Sequence, residues 1–269
     1  MASQNGFDVE IAPLTDQDAG WEESLIRRRK IDTWVNDRLD TEAWHAEQIK
    51  LCGLPLVTFD DRGAGAEYAD LHVAALVFGD ASLGGRRVLK GPRYLVLDPE
   101  IERFRRKRSS LRKIVVSMGG ADTHGVTLRM VELLADSPVP VTVVAGPGYR
   151  DMARLKKILP ASFELLFSVD SLAETFHGFD LAVTAGGVTP FEAAAAGLPT
   201  IIIATETFEI AVGEHLAKSG CALFAGYHSK LHMPDFDEIS QQIAEMSEAG
   251  MAQYDTAGAW RILDEVRAL

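Results

Sequence analysis

DLAVTAGGVTPFEAAAAGLPTIIIA, Asp180–Ala204, decides the fold. An apolar run, Asp180–Ala185, leads into two glycines. A helical segment, Thr189–Ala196, follows, and Gly197 stops it. A second apolar run, Pro199–Ala204, closes the unit. Pro190 suits a first helical turn, where its missing N–H has no partner to lose. Apolar runs without polar alternation are the mark of strands buried on both faces, as in a parallel sheet covered by helices. Strand, helix, strand in this order is a right-handed crossover.

The same unit repeats outward. Further apolar runs are Leu54–Asp60, Leu71–Phe78, Lys113–Met118, Val139–Ala145 and Phe163–Phe167. Helical patterns lie between and after them, at Thr41–Leu51, Thr123–Ala135, Arg150–Leu159, Ser171–His177 and Ala211–Ser219. Thr41 and Asp170 are candidate N-caps, and Gly53, Gly197 and Gly220 candidate C-terminal stops. The whole reads as an α/β fold. Glu102–Lys113 (ERFRRKRSSLRK) breaks the alternation with seven basic residues in twelve. It reads as a solvated linker or helix end between two α/β halves, or as a contact for an anionic membrane or acidic partner. It divides the chain into a first domain, 1–107, and a second, 108–269.

Composition narrows the function. The 269 residues are 47% hydrophobic and carry a net charge of −12. A nucleic-acid-binding surface is excluded, because phosphate contacts need clustered Lys and Arg. No run reaches the ~18 apolar residues of a membrane span. Met1–Glu10 has no basic stretch followed by an apolar one, so no secretory signal is read there. Two cysteines, Cys52 and Cys221, exclude a disulfide scaffold and fit a reducing, cytoplasmic setting.

Three glycine-rich turns follow strands of the second domain: Gly119-Gly120-Ala121-Asp122, Gly146-Pro147-Gly148-Tyr149 and Gly186-Gly187-Val188-Thr189. In one parallel sheet they share the carboxyl edge, where open α/β sheets bind ligands. The spacing matches neither a dinucleotide fingerprint nor a P-loop. The simplest ligand is phosphate-bearing, held by backbone amides and helix starts. Glu192, one turn into its helix, is either a partner of the helix dipole or an acceptor for the paired hydroxyls of a ribose. Asp60 and Asp61 end a strand, where paired acids do acid–base work or cap a turn. His124 follows the first glycine turn and is a candidate base or a cap. His215 is a candidate for substrate contact. His228 and His232, four apart, lack a third ligand in a metal frame, and no metal or cofactor is expected. His45, His72 and His177 read as packing or surface residues.

Gly186–Pro199 resembles the nucleotide-sugar signature of GT-B glycosyltransferase-like proteins. Trp34–Thr41, Phe59–Asp70, Gly119–Asp122, Ala145–Tyr149 and Tyr254–Ala259 together resemble the spore-coat polysaccharide biosynthesis group. That group includes the UDP-sugar hydrolase of pseudaminic acid synthesis. The resemblance covers residues from about 31 to the C-terminus. It implies a GT-B architecture of two Rossmann-like lobes and a metal-independent reaction. By motif, Gly186, Gly187 and Thr189 lie near the diphosphate or base, and Glu192 at the ribose. Gly119, Gly120 and Asp122 form an opposing loop. Two departures stand out. The family's opening strand and Gly-x-Gly-His loop, with its base, have no counterpart in Met1–Lys30, so the first lobe reads as incomplete. The family's Asn/Gln pair falls at Thr205–Glu209 (TETFE), which places Glu209 there instead.

Two function classes follow. One is an enzyme of surface-polysaccharide or nonulosonate synthesis that expels UDP from a UDP-sugar, with water or a sugar hydroxyl attacking. The other is a catalytically incomplete nucleotide-sugar-binding subunit or sensor that needs a partner, such as a glycosyltransferase. A mis-started reading of a complete enzyme is a third possibility. An incomplete first sheet has an exposed edge, which predicts a homodimer or a covering N-terminal segment.

Overall fold

A computed structural model describes residues 6–11, 21–76 and 83–269. The described chain forms two compact units. One takes residues up to 74, 83–89 and 265–269; the other takes 75–76 and 90–264. The change of unit near residue 90 precedes the basic run, which lies inside the second unit.

The first unit holds helix α1 (Trp21–Arg29), strand β1 (Trp34–Asp37), helix α2 (Ala43–Leu51), and strands β2 (Leu56–Phe59), β3 (Leu71–Ala74) and β4 (Val88–Lys90). The sheet order is β1-β2-β3-β4, with β1, β2 and β3 parallel. Leu56 and Val57 of β2 and all of β3, His72 included, are buried. The expected strand Leu71–Phe78 runs to Ala74, and its last two residues lie outside the described residues. Thr41 is not the cap of α2. Glu42 is, without a side-chain bond, and the Thr41 amide donates to Asp61 at 2.9 Å.

The second unit opens with the short helix α3 (Ile101–Phe104) and then winds β5 (Ile114–Ser117), α4 (Val126–Leu133), β6 (Val141–Ala145), α5 (Met152–Ile158), β7 (Glu164–Phe167), α6 (Leu172–His177), β8 (Leu181–Ala185), α7 (Thr189–Ala195), β9 (Thr200–Ala204), α8 (Glu209–Lys218), β10 (Ala222–Tyr227) and β11 (Lys230–Leu231). Helices α9 (Phe236–Gln253) and α10 (Gly258–Val266) complete it. The sheet order is β11-β10-β9-β8-β5-β6-β7; every pairing is parallel except β10 with β11. Alternate strand residues point to opposite faces. Ile114, Val116, Val143, Val183 and Ile201 pack under α4, α5 and α9. Val115, Val144 and Ala182 pack with Phe176 of α6 and Ala193 of α7. No described helix is long and apolar enough to cross a membrane.

The basic run is exposed or half-buried along most of its length, and Arg108 is the exception. Arg108 is fully buried. Its guanidinium donates to the carbonyls of Phe179 at 3.1 Å, Phe176 at 2.8 Å, Arg106 at 2.8 Å and Ala196. Phe176 and Ala196 lie at the carboxyl ends of α6 and α7, where carbonyls lack helical partners and the dipole favours a cation. Arg106 adds bonds to the carbonyls of His177 and Phe179 and to Asp180, each at 2.8–2.9 Å. Burial, helped by Arg106, lowers the Arg108 pKa to about 9, with Asp180 opposing. The side chain therefore remains a cation at neutral pH. The run carries charge because helix ends converge on it.

Candidate functional site

Order in the second sheet fixes where its ligand edge lies. From β5 the chain proceeds outward through β6 and β7, then returns to β8 and proceeds the other way through β9 and β10. The loops after β5 and β8 therefore part at a topological switch point, where open α/β sheets hold ligands. Ser117 pairs with Thr184 at the ends of these strands. The glycine turns at 119–120 and 186–187 thus flank the switch point, and the turn at 146–148 adjoins the first.

These turns touch closely enough to require glycine. A Cβ on Gly146 would lie 2.5 Å from the carbonyl oxygens of both Gly119 and Gly120. The Gly148 amide donates to the Gly120 carbonyl at 2.8 Å. A Cβ on Gly186 would lie 2.6 Å from the Cβ of Glu209. Gly119 and Gly120 themselves are exposed, with open space where a side chain would stand.

Asp122 is committed to scaffolding. Its two carboxylate oxygens accept from the amides of Val126 and Thr127 at 2.9 and 2.7 Å. This clamp delays α4 to Val126, rather than the expected Thr123, with Asp122 and Gly125 at φ 45° and 65°. Glu209 is likewise buried, and its Oε2 accepts from the Thr205 amide and hydroxyl and the Glu206 amide at 2.6, 2.9 and 3.2 Å. It holds the loop after β9 against Gly186.

Glu192 behaves differently. It sits half-buried in the first turn of α7, and its carboxylate accepts no hydrogen bond among the described residues. Burial, with Asp98 nearby, raises its pKa above the usual carboxyl range. Thr189 opens the same helix, half-buried beside it. Two hydroxyls close to these turns, those of Tyr149 and Thr184, are buried without a partner among the described residues. Burial and the carboxylates of Asp122 and Asp151 push the Tyr149 phenol up to about 12.

The histidines separate. His124, after the first glycine turn, places Nε2 3.1 Å from Oε1 of Glu206 and stacks on His228. Sequence reading missed Glu206 and passed over His228, because only the topology brings these loops together. His228 and His232 stand on the β10–β11 hairpin, not on a helix, so their spacing of four carries no metal geometry. Among the described residues no group of three or more His, Cys, Asp or Glu is placed to hold a metal ion. His215 lies within α8, 3.2 Å from the Tyr254 hydroxyl and packed near Phe191. Burial, with Lys218, lowers its pKa. Its contacts are those of a packing residue, not of the glycine edge.

Asp61 belongs to the first unit. It is buried, and its carboxylate accepts from the Thr41 and Gly63 amides at 2.9 Å and from the Thr58 hydroxyl at 2.7 Å. Burial alone would raise its pKa, but the bonds from Thr41, Thr58 and Gly63 outweigh that and hold it low. Of its two readings, turn cap and proton-transfer acid, the geometry supplies the cap: both oxygens are occupied. Ser171, not Asp170, caps α6, accepting from the Glu174 amide at 3.2 Å.

No family model matches the chain. An uncharacterized protein of Methanocaldococcus jannaschii is 26% identical over 201 residues, covering 66% of this chain and 41% of that protein. Spore coat polysaccharide biosynthesis protein SpsG of Bacillus subtilis is 22% identical over 217 residues, covering 75% of this chain and 64% of its own length. The chain thus spans less than two thirds of either relative. Among solved structures, MurG of Acinetobacter baumannii superposes with a TM-score of 0.66 at 15% identity, over 91% of this chain and 76% of that one. The glycotransferase of kitacinnamycin gives 0.62 at 15% identity, over 97% and 85%. S. aureus MnaA, solved with UDP, gives 0.60 at 15% identity, over 96% and 83%. The fold is that of GT-B glycosyltransferase-like proteins.

Proposed function

We propose that the second unit binds a nucleoside diphosphate sugar, with UDP as the preferred nucleotide. Gly119, Gly120, Gly146, Gly186, Gly187 and Thr189 surround the diphosphate, and Glu192 accepts from the ribose hydroxyls. The observation that carries this reading is the half-buried Glu192 carboxylate, without a donor, beside glycine turns that flank the switch point. A carboxylate is an acceptor only, and a ribose diol supplies two donors at the spacing of its two oxygens. Fold relatives solved with UDP and with thymidine diphosphate support a nucleoside diphosphate, and the choice of UDP follows the resemblance to the spore-coat polysaccharide group.

The reaction in this reading expels UDP from a UDP-sugar, by hydrolysis or glycosyl transfer, in surface-polysaccharide or nonulosonate synthesis. Backbone amides and the α7 dipole stabilise the departing diphosphate. His124 is the base at this edge. A second reading, a nucleotide-sugar-binding subunit that needs a glycosyltransferase partner or a second copy of itself, gains from one observation. Asp61, one of three candidate catalytic groups, has both carboxylate oxygens occupied by structural contacts.

Calorimetric titration with UDP, GDP, CMP and TDP tests the proposal. UDP should bind tightest. Glu192→Ala should weaken it by about 10- to 100-fold, as the loss of hydrogen bonds to a charged group implies. Because the Glu192 pKa is raised, wild-type affinity should begin to fall on acidification above the ordinary carboxyl range, and Glu192→Gln should abolish that limb. Equal affinity in wild type and Glu192→Ala removes Glu192 from the ribose.

A further inference from the structure

Three loops of the second unit meet at one imidazole. His124, between β5 and α4, directs Nε2 at Oε1 of Glu206, on the loop after β9, at 3.1 Å. The ring of His228, directly after β10, lies against it with centroids 4.2 Å apart and planes 29° from parallel. Tyr227 backs His228 in turn, at 4.3 Å. Arg129 of α4 donates to the His228 carbonyl at 2.6 Å and ties the two loops from below. The Glu206 amide is held by Glu209, whose stem abuts Gly186. One carboxylate therefore links this cluster to the glycine turn beside α7.

The chemistry of the cluster is that of an oriented base. A carboxylate only accepts, so a neutral His124 facing Glu206 carries its proton on Nε2. Nδ1 is then the bare acceptor, and it has no hydrogen-bond partner among the described residues. The stacked ring of His228 fixes the plane in which that acceptor points. Imidazole oriented by a carboxylate and by packing is the usual construction of a proton-transfer group.

We propose that Glu206 and His228 are positioning residues that hold His124 as the proton-transfer group of the site. The proposal rests on reading the second unit as a nucleotide-sugar site. In the step, a hydroxyl of water or of an acceptor sugar gives its proton to Nδ1 of His124 while its oxygen bonds to the anomeric carbon. The bond from that carbon to the diphosphate breaks, and its electron pair leaves with the nucleoside diphosphate.

Nitrogen-15 NMR of the histidine side chains in the full chain provides a test that needs no substrate. Wild type should show His124 as the Nε2–H tautomer. Glu206→Gln, which keeps an acceptor oxygen, should preserve it, and Glu206→Ala should lose it. His228→Phe should leave the His124 signals sharp, and His228→Ala should not. A wild-type Nδ1–H tautomer, or His124 signals unmoved in Glu206→Ala, overturns the proposal.

UDP release from UDP-N-acetylglucosamine, UDP-glucose and UDP-galactose is the second arm. On any of these that turns over, His124→Ala should lower kcat by about 100-fold or more. Glu206→Ala should also change the pH profile. Undiminished kcat in His124→Ala overturns the proposal, and a chain without turnover is decided by the tautomers. UDP affinity should stay within about twofold in all these variants; failure of wild type to bind UDP refutes the underlying reading separately.

Discussion

Gly146→Ala puts the carboxyl edge under direct strain. The added Cβ would stand 2.5 Å from the Gly119 and Gly120 carbonyl oxygens and 2.6 Å from the Gly120 Cα. All three are backbone atoms, so no side chain can swing aside. Ordinary contact needs about 0.9 Å more, which the two turns must supply by moving apart. Overpacking of this kind costs about 1–3 kcal/mol. At about 2–4 °C per kcal/mol for a unit of this size, Tm should fall by roughly 2–12 °C. The displaced Gly119-Gly120 turn should also lose one or two amide contacts to the diphosphate, about 1 kcal/mol each, which weakens UDP about 5- to 30-fold. Gly120→Ala is the internal control. Nothing lies within 4 Å of its Cβ position, and its φ is not in the left-handed region. Its thermal stability should stay within about 0.5 kcal/mol of wild type. Differential scanning calorimetry reads both. If Gly146→Ala melts with Gly120→Ala, the interlocked turns described above do not exist.

Arg108→Met should destabilise the chain by about 3 kcal/mol in urea unfolding, since the carbonyls of Phe176, Phe179, Arg106 and Ala196 each lose a donor, Phe179 and Ala196 keep bonds from Arg106, and the relief of burying a charge offsets only part of the loss. Equal midpoints would refute the helix-end role. Asp61→Ala should lower stability by a similar amount, through three lost bonds to a buried carboxylate, while leaving UDP affinity unchanged. Because its folded pKa lies below the unfolded one, the stability Asp61 contributes should be present above about pH 4 and lost as pH falls through the folded value; an acid-unfolding curve of Asp61→Asn that overlays wild type would contradict this. His215→Phe should leave UDP affinity unchanged. Its folded pKa is depressed, so the wild-type chain should gain stability as pH rises toward and through 6.5, a slope that the variant should lack.

The strands of the second sheet were readable because they are buried on both faces. Ile114–Ser117, Leu181–Ala185 and Thr200–Ala204 carry little else than apolar side chains, and the glycines after them announce the turns. Gly53, Gly197 and Gly220 end their helices at φ 71–77°, as their positions suggested. Strand β1 escaped because only Asn36 of its four residues is buried, so Trp34–Asp37 shows no apolar run. Strand β10 escaped for a related reason: four of its six residues are only partly buried, and a register shift falls between Phe224 and Gly226. Helix α9 is rich in Gln, Glu and Ser, and its buried stripe is narrow. The basic run misled because charge in sequence usually means solvent. Arg108 shows the other use, a buried donor for helix carbonyls. At the site, glycine turns could be placed by their strands. Glu206 could not be tied to His124, since 82 residues separate them and only the sheet order closes the distance.

Carboxylates of the second unit divide by what they accept, and that division underlies the proposed ligand site. Asp122 takes two backbone amides, and Glu209 takes two amides and a hydroxyl. Both are spent on geometry: one starts α4, the other fixes the loop after β9. Glu206 faces Nε2 of the His124 imidazole at 3.1 Å. Glu192 alone of these four is half-buried with nothing donated to it, and burial has already moved its pKa upward. A carboxyl partly removed from water without donors costs free energy in the unliganded chain. The dipole of α7 repays some of that, but a first-turn Glu facing water would gain the same benefit without the burial. The placement is therefore favoured by donors that arrive from outside the chain, as the proposed ribose would supply. Two hydroxyls on adjacent carbons of a ring fit an acceptor with two oxygens, and the neighbouring turns fit the diphosphate attached to that ring.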